Sequence, residues 1–310
     1  MIRVEGGRAQ LDRAHRGRLG TRPRAPKKIL AAVLGADVSK SRSPAIHNAA
    51  FRALGVRGEY LAHSVDDRQF RKLVAKLRAE GYRYLNVTIP HKAAAARFAR
   101  RRGPEVRVSG AANTLLFAPG RPPRAENTDG AGLLAALADL GVTARGAVVV
   151  MVGAGGAAAG ALEALTRAGA RVRLVARRPE VARALRRRLP ASRRPRVVVA
   201  PWTPDGLAGA LGGADVLVSA VPAAAWADPA ASAGLAAITR KTAVLEMAYG
   251  APTPLAAAVR GRARRYGDGL GMLVHQAALQ VETRSGQRAP VPEMRAAAEA
   301  ALAREYRVSS

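Results

Sequence analysis

The chain contains no cysteine, and this absence excludes several kinds of chemistry at once. Without thiols there are no disulfides, no thiolate metal sites and no cysteine nucleophile, which agrees with a cytoplasmic protein, and we predict no metal site. No apolar run reaches the ~20 residues that a membrane-spanning helix needs. Aromatic residues make up 4% of the chain, so stacking platforms for single-stranded nucleic acid are few. We therefore expect neither a membrane protein nor a dedicated nucleic-acid binder.

Acidic residues are also scarce. The chain has 22 Asp and Glu against 51 Lys and Arg, which gives a formal net charge of +29. Such a balance attracts nucleic acid, anionic membranes and anionic small molecules. The arginines are spread along the chain, and Arg, Ala, Gly and Pro are all abundant, as a GC-rich coding sequence produces. We predict non-specific retention of polyanions at low salt and no specific nucleic-acid partner.

The remaining composition fits two folded domains. The chain has 310 residues, of which 49% are hydrophobic, enough for a sizeable core. Residues 1–28 carry nine Arg and Lys against two acids without an apolar period, and we interpret them as a disordered arm or an over-long start. Further along, short apolar runs alternate with amphipathic segments, which predicts an α/β fold with largely parallel sheets.

The first candidate for chemistry is the stretch Asn86-Val-Thr-Ile-Pro-His-Lys92. A short predicted strand precedes it, Pro90 stops strand pairing, and the alanine-rich segment after it favours a helix. Only seven of the 51 basic residues are lysine, yet one of them stands at this corner. An amine can lose its proton in a protein, whereas a guanidinium cannot, so Lys92 is a candidate proton carrier. The alternative is a solvated lysine at a helix start.

Three further polar segments follow predicted strands or precede helices. The loop Ser39–Pro44 offers hydroxyls that either cap the next helix, with Ser43 at the N-cap, or bind a polyhydroxylated ligand. A predicted strand over 110–117 carries Asn113, and the proline-rich segment 118–125 predicts a hairpin or surface turn. The run Asn127-Thr-Asp129 precedes a helix predicted to begin at Ala131, and an N-cap cluster is the commoner meaning of such a run.

A glycine-rich loop marks a second domain. The apolar strand 147–152 is followed by Gly153-Ala-Gly-Gly-Ala-Ala158 and then by a predicted helix. This matches the G-x-G-x-x-G/A pattern in the context it requires, where backbone N–H groups and a helix N-terminus hold a pyrophosphate. We therefore predict a Rossmann-type dinucleotide-binding domain.

The next strand, 171–176, ends in Arg177-Arg178, where NAD-binding proteins place an acid for the ribose hydroxyl. An arginine pair can hold a 2′-phosphate in a bidentate fashion, which favours NADP(H) as the cofactor. Glu180 follows two residues later and leaves NAD open. Ser219 lies at the end of a later strand, where nicotinamide contacts are usual.

Six motifs occur in one order, and together they resemble the shikimate dehydrogenase family over about residues 30–286: Ser41-Arg-Ser-Pro44 with His47-Asn48, Asn86 to Lys92, Gly110-Ala-Ala-Asn-Thr114, Asn127-Thr-Asp-Gly130, Gly153-Ala-Gly-Gly-Ala157, and Gly269-Leu-Gly-Met-Leu-Val-His-Gln276. The resemblance implies a substrate domain over 29–130 completed by helices at 270–310, and a Rossmann-type NADP-binding domain over 131–269. It also implies reversible NADPH-dependent reduction of 3-dehydroshikimate to shikimate, in aromatic amino-acid biosynthesis.

The same resemblance implies a role for each matching position. Lys92 and Asp129 match the catalytic pair. The implied substrate contacts are with the carboxylate (Ser41, Ser43, with Tyr249 nearby) and with the ring hydroxyls (Thr88, Asn113, Gln276, and also Asp129). The implied cofactor contacts are Gly153, Ala154, Gly155, Gly156, Ala157, Arg177, Arg178, Ser219 and Gly269.

Three positions depart from the family pattern. Lys40 replaces a usual histidine before the two serines, Ala176-Arg-Arg178 replaces Asn-Arg-Thr, and Gly250 stands where Asn is common. The nearest alternative function is an NAD-dependent quinate/shikimate dehydrogenase. A non-catalytic polyanion-binding relative is a remote one, because Lys92 and Asp129 are both present. We expect a monomer or a homodimer.

Overall fold

We describe the protein from a computed structural model, which covers residues 28–250 and 252–309. The predicted basic arm therefore lies outside the described residues except for Lys28. In chain order the strands are β1 (Ile29–Gly35), β2 (Gly58–Ser64), β3 (Tyr84–Val87), β4 (Arg101–Arg102), β5 (Thr114–Leu116), β6 (Arg124–Glu126), β7 (Val148–Val152), β8 (Arg171–Ala176), β9 (Val197–Pro201), β10 (Val216–Ser219), β11 (Ala243–Glu246) and β12 (Tyr266–Gly267). The α-helices are α1 (Ser43–Ala53), α2 (Phe70–Ala79), α3 (Lys92–Phe98), α4 (Pro104–Ser109), α5 (Asp129–Asp139), α6 (Gly156–Arg167), α7 (Pro179–Arg188), α8 (Pro204–Leu211), α9 (Pro229–Ala233), α10 (Pro254–Val259), α11 (Gly269–Ser285) and α12 (Val291–Ser309).

The first six strands form one mixed sheet in the order β2-β1-β3-β5-β6-β4. Strands β2, β1 and β3 are parallel, as expected, but β5 runs antiparallel to both β3 and β6. This sheet is therefore mixed, with parallel pairings of β2–β1, β1–β3 and β4–β6, and the prediction of largely parallel strands did not include the two antiparallel pairings of β5. The proline-rich segment 118–125 reverses the chain between β5 and β6, and two strands joined by so short a connection pair antiparallel.

The other six strands form a fully parallel sheet in the order β9-β8-β7-β10-β11-β12. This is the Rossmann order, in which the order of successive strands reverses between β7 and β10 while all strands stay parallel. Val149 to Val152 are completely buried, because helices cover both faces of the sheet. The predicted Rossmann-type domain is confirmed.

The last two helices return to the first sheet's side of the molecule. Residues of α1, α11 and α12, among them Ile46, Val274 and Met294, share one buried apolar cluster. Helix α11 also packs along α5, which leads into the second sheet. The predicted two-domain α/β architecture with returning helices is confirmed, and no helix in the described ranges is long and apolar enough to cross a membrane.

Helix starts were the least accurate part of the prediction. Helix α1 begins at Ser43, so Arg42 and not Ser43 occupies the N-cap position. Helix α5 begins at Asp129 and not at Ala131, which puts a carboxylate in the first turn, where the helix dipole favours it. Helix α6 begins at Gly156, three residues before the predicted position, so the last glycine of the loop is already helical.

Candidate active site

A cavity of about 520 Å³ lies between the two sheets and is lined from both. It contains all eight residues that the sequence assigned to catalysis or substrate: Ser41, Ser43, Thr88, Lys92, Asn113, Asp129, Tyr249 and Gln276. Two of the nine residues assigned to the cofactor, Ala157 and Gly269, also line it. The residues come from six different segments, so the fold brings together what the sequence keeps up to 235 positions apart.

The strand-to-helix corner holds Lys92 in the cavity. After β3, the Thr88 N–H donates to the Leu34 carbonyl at 2.8 Å, and the Ile89–Pro90 bond is cis. The His91 ring is buried against Phe70, with ring centroids 4.8 Å apart, and its Nε2 lies 2.7 Å from the Val65 carbonyl. These contacts fix the backbone immediately before α3, where Lys92 is the first helical residue.

Lys92 and Asp129 form a close ion pair. The Lys92 Nζ lies 2.5 Å from Asp129 Oδ2, and the two side chains are only 12% and 8% exposed. The other carboxylate oxygen, Oδ1, accepts a hydrogen bond from Asn113 Nδ2 at 2.8 Å. The Asp129 backbone N–H donates to Asn127 Oδ1 at 3.0 Å. Asn113 thus holds one carboxylate oxygen, Asn127 holds the backbone of Asp129, and the second carboxylate oxygen faces the amine.

A buried amide network continues behind this pair. Asn113 Oδ1 accepts from the Thr128 backbone N–H at 3.0 Å, and its Nδ2 also reaches Gln276 Oε1 at 3.3 Å. Gln280 Nε2 donates to Gln276 Oε1 at 2.8 Å and to Thr114 Oγ1 at 3.0 Å. The sequence interpretation missed Gln280, although its position one helical turn after Gln276 put both amides on one face of α11.

The segment proposed for a carboxylate is braced by the last helix. Arg42, between Ser41 and Ser43, is nearly buried and forms an ion pair with Glu305 of α12, while Lys40 Nζ lies 3.0 Å from the same carboxylate. Tyr249 lies beside Arg42. Burial raises the pKa of the Tyr249 hydroxyl, and the charge and backbone N–H of Arg42 partly oppose that rise. The Tyr249 hydroxyl is therefore a neutral donor at the rim that carries Ser41 and Ser43.

The glycine loop has the shape that a pyrophosphate needs. Gly153 adopts φ +115°, and a Cβ there would lie 2.8 Å from the Ala220 carbonyl, so only glycine fits. A Cβ on Gly155 would meet nothing within 4 Å, and no side chain in the described ranges caps α6. The first N–H groups of this helix thus have no side-chain cap in the described ranges, and a helix N-terminus of this kind can bind an anionic diphosphate. The loop lies beside Lys92, whose side chain is 3.5 Å from the position of a Cβ on Gly156.

The other predicted cofactor residues fall into two groups. Arg177 and Arg178 are exposed at the carboxyl end of β8, outside the cavity. Ser219 is fully buried, and its Oγ accepts a hydrogen bond from the indole of Trp226 at 2.9 Å. The Ser219 side chain is thus bound to Trp226, while the following residues, Ala220 to Pro222, line the cavity. A cofactor contact at Ser219 stays a prediction. The sequence placed the strand end correctly but could not show which way this side chain points.

A Rossmann-type domain whose glycine loop faces a buried lysine–carboxylate pair across a cavity defines a dinucleotide-dependent oxidoreductase. Comparison with known proteins narrows this class. Family models match three consecutive parts of the chain: the shikimate dehydrogenase substrate binding domain at 33–115, a putative NAD(P)-binding domain at 140–248, and the shikimate 5′-dehydrogenase C-terminal domain at 269–299.

Individual known proteins are similar to this chain over most of its length. A shikimate dehydrogenase (NADP(+)) of Dinoroseobacter shibae is 36% identical over 277 residues, which cover 88% of this chain and 98% of the relative. The shikimate 5-dehydrogenase of Thermus thermophilus, solved with NADP(H) and shikimate, superposes with a TM-score of 0.76 at 29% identity, covering 88% and 99% of the two chains. The chain belongs to the shikimate dehydrogenase family, as the order of its motifs suggested. The fold is also similar to a 5-ketofructose reductase of Gluconobacter sp. strain CHM43, with a TM-score of 0.74 at 25% identity and coverage of 88% and 98%.

Proposed function

We propose that this protein is a shikimate dehydrogenase that reduces 3-dehydroshikimate to shikimate with NADPH, reversibly, in the biosynthesis of aromatic amino acids. The observation that carries the proposal is the buried Lys92–Asp129 pair, 2.5 Å apart, inside a cavity that also holds six further polar residues of the family's substrate site. The reaction needs one hydride and one proton at a single carbonyl group.

NADPH, when bound, supplies the hydride from nicotinamide C4 to the carbonyl carbon. The residues that would hold it are the glycine loop at the N-terminus of α6 and the exposed arginines after β8. The Lys92 ammonium donates the proton to the carbonyl oxygen and is left as a neutral amine. In the oxidation direction the neutral amine accepts the hydroxyl proton.

Asp129 acts on the amine in two ways. Its carboxylate forms an ion pair with the Lys92 ammonium that donates the proton, with Oδ2 2.5 Å from Nζ, and its fixed position orients that ammonium. Asn113 prevents the carboxylate from rotating, because it donates to the second oxygen at 2.8 Å. We assign the hydroxyls of Ser41 and Ser43 to the substrate carboxylate and the amides of Asn113 and Gln276 to ring hydroxyls, and all four residues line the cavity, which supports this assignment.

The test replaces Lys92 with Met, which keeps the length of the side chain but cannot carry a proton. We expect kcat to fall at least ~100-fold, the usual contribution of general acid–base catalysis, while shikimate affinity changes only a few-fold. Lys72→Met, which removes a lysine of α2 that lies outside the cavity, is the matched control and should keep full activity. Retention of kcat within tenfold in the Lys92 variant would contradict the proposed role.

An NAD-dependent quinate/shikimate dehydrogenase is the second candidate. The observation in its favour is Glu180, exposed in the first turn of α7, where a carboxylate could accept from a ribose hydroxyl. Initial rates with NADPH and NADH, each with 3-dehydroshikimate and 3-dehydroquinate, separate the two candidates. The fold shared with a 5-ketofructose reductase makes 5-ketofructose a necessary third substrate in the same assay. A cytoplasmic location and a monomeric or dimeric state stay predictions.

A further inference from the structure

The chain has only two tryptophans, and the fold places them side by side next to the cofactor edge of the parallel sheet. The rings of Trp202 and Trp226 have centroids 5.0 Å apart at an interplanar angle of 57°. The Trp226 indole donates to Ser219 Oγ at 2.9 Å, and the Trp202 indole donates to the Ala231 carbonyl at 2.9 Å. Both rings are therefore fixed by a hydrogen bond as well as by packing.

Trp202 in turn faces Arg177. The register of β8 and β9 pairs Ala176 with Pro201, and the Trp202 N–H donates to the Ala176 carbonyl at 3.0 Å. The next residues on the two strands, Arg177 and Trp202, consequently emerge together from the carboxyl end of the sheet. The guanidinium carbon of Arg177 lies 6.0 Å from the centre of the Trp202 ring, which is within cation–π range.

The guanidinium of Arg177 has no other partner in the described part of the chain. It is exposed, it makes no ion pair with a carboxylate, and none of its N–H groups donates a hydrogen bond there. An arginine that lies on an aromatic face keeps its N–H donors in the plane of the guanidinium, free to bind an oxyanion in a bidentate way. The neighbouring Arg178 has no aromatic partner among the described residues, and it occupies the N-cap of α7.

We propose that Trp202 is a specificity-determining residue for the dinucleotide: braced by Trp226, it holds the Arg177 guanidinium in the orientation that binds the 2′-phosphate of NADP(H). The inference rests on the proposed use of NADP(H). A tryptophan that only completed the core would affect NADP(H) and NAD(H) equally, because the two cofactors differ only in that phosphate. The Trp202 ring lies against the Arg177 guanidinium, which has no other partner among the described residues. This contact favours a role of Trp202 in cofactor selection over a role in the core alone.

The experiment measures binding without turnover. Dissociation constants for NADPH, NADH and 2′,5′-ADP are determined by calorimetry for the wild type, Trp202→Leu, Arg177→Ala and the double variant. We expect Trp202→Leu to weaken NADPH and 2′,5′-ADP by about three- to tenfold, as loss of one cation–π contact implies, and NADH by less than about twofold. In the Arg177→Ala background, Trp202→Leu should cause no further selective loss.

Two additional variants keep the test decisive. Arg183→Ala removes the same charge from α7, the helix that follows Arg177, and should leave the NADPH-to-NADH affinity ratio unchanged. Arg177→Lys keeps both the charge and the tryptophan packing but loses the planar guanidinium, so it should reduce the ratio even if Trp202→Leu does not fold. Equal weakening of NADPH and NADH by Trp202→Leu, selective loss that persists without Arg177, or an unchanged ratio in Arg177→Lys would each overturn the inference.

Failure of this inference and failure of the proposed function are distinguishable. Binding of 2′,5′-ADP requires neither the nicotinamide nor the substrate cavity. Selective loss of its affinity without any oxidation of shikimate would reject the proposed reaction and keep the role of Trp202. Full shikimate oxidation with an unchanged NADPH-to-NADH affinity ratio in the variants would keep the proposed reaction and reject the role of Trp202.

Discussion

Acidification should destabilise this protein through one buried histidine, His47. Burial lowers the pKa of His47 to about 3, and an interaction with the Gln280 side chain only partly opposes that shift. In the unfolded chain the ordinary pKa is about 6.5. Between these two values the unfolded chain binds the proton and the folded protein does not. The contribution of His47 to stability is therefore complete above a pH of about 6.5 and is lost as the pH falls from there towards 3.

The surroundings of His47 explain why a charge is not tolerated there. The ring stacks on Tyr60, with centroids 4.1 Å apart and planes 5° from parallel, and Nδ1 lies 3.0 Å from the Tyr84 hydroxyl. Burial raises the pKa of both tyrosines, so both stay neutral and Tyr84 can donate to Nδ1. Nε2 then carries the single proton, and both it and Gln280 Oε1 are buried. Within the described ranges, no carboxylate forms an ion pair with His47 that would stabilise an imidazolium.

Uptake of one proton on unfolding corresponds to a slope of ~1.4 kcal/mol per pH unit, so the free energy of unfolding should fall by ~2–3 kcal/mol between about pH 6.5 and 4.5 from this group alone. Urea unfolding at several pH values, compared between the wild type and His47→Gln, isolates this contribution because the variant cannot take up that proton. The difference between the two proteins should shrink with the expected slope as the pH falls. Parallel pH profiles, or an NMR titration of His47 with a midpoint near its ordinary pKa, would refute the reasoning.

Two further predictions concern the glycine loop and the last helix. Gly153→Ala should lower the free energy of unfolding by ~2 kcal/mol or more, since φ is +115° and the new methyl would overlap a backbone carbonyl, whereas Gly155→Ala, open and unstrained, should keep the stability within ~0.5 kcal/mol and yet weaken NADPH binding. Urea unfolding and calorimetry check the pair, and a stable Gly153→Ala protein would contradict the first half. Glu305→Gln should cost ~1–3 kcal/mol and raise the KM for shikimate, because it leaves the nearly buried Arg42 without its carboxylate, while the exposed Glu299→Gln of the same helix is the control. If both glutamine variants unfold at the same urea concentration and have the same KM, the ion pair contributes nothing.

The parts of the fold that sequence could predict are those with a local physical signal. The strand Val148–Val152 and the loop after it were predictable because a buried parallel strand is continuously apolar and a pyrophosphate loop needs glycine. The corner at Lys92 was predictable for the same reason, since proline ends a strand and alanine favours a helix. The relation between β5 and β6 was not, because a proline-rich segment indicates a reversal without fixing which neighbours the reversed strand pairs with.

The candidate site was predictable as a set of residues but not as an arrangement. The motifs named Lys92, Asp129 and Asn113, yet nothing local indicated that Asn113 would hold the far oxygen of the carboxylate. The contribution of Gln280 and the pairing of Trp202 with Arg177 join positions 166 and 25 residues apart, and such contacts depend on how whole helices and strands pack. The hydrogen bond between Trp226 and Ser219 could not be predicted for the same reason, since the end of a strand fixes where a residue lies and not which way its side chain points.

The position of Lys92 links the two domains, so the proton transfer that we propose depends on both of them. Its backbone belongs to the substrate side, at the start of α3, while its side chain lies 3.5 Å from the position of a Cβ on Gly156 in the cofactor loop. Its partner Asp129 begins α5, which packs on both α6 and α11. A shift of the dinucleotide-binding domain relative to the first sheet therefore moves the amine, the carboxylate and the glycine loop against one another. Because a proton donor must lie within hydrogen-bond reach of the carbonyl that receives the hydride, we infer that only the packed arrangement of the domains is competent for reduction.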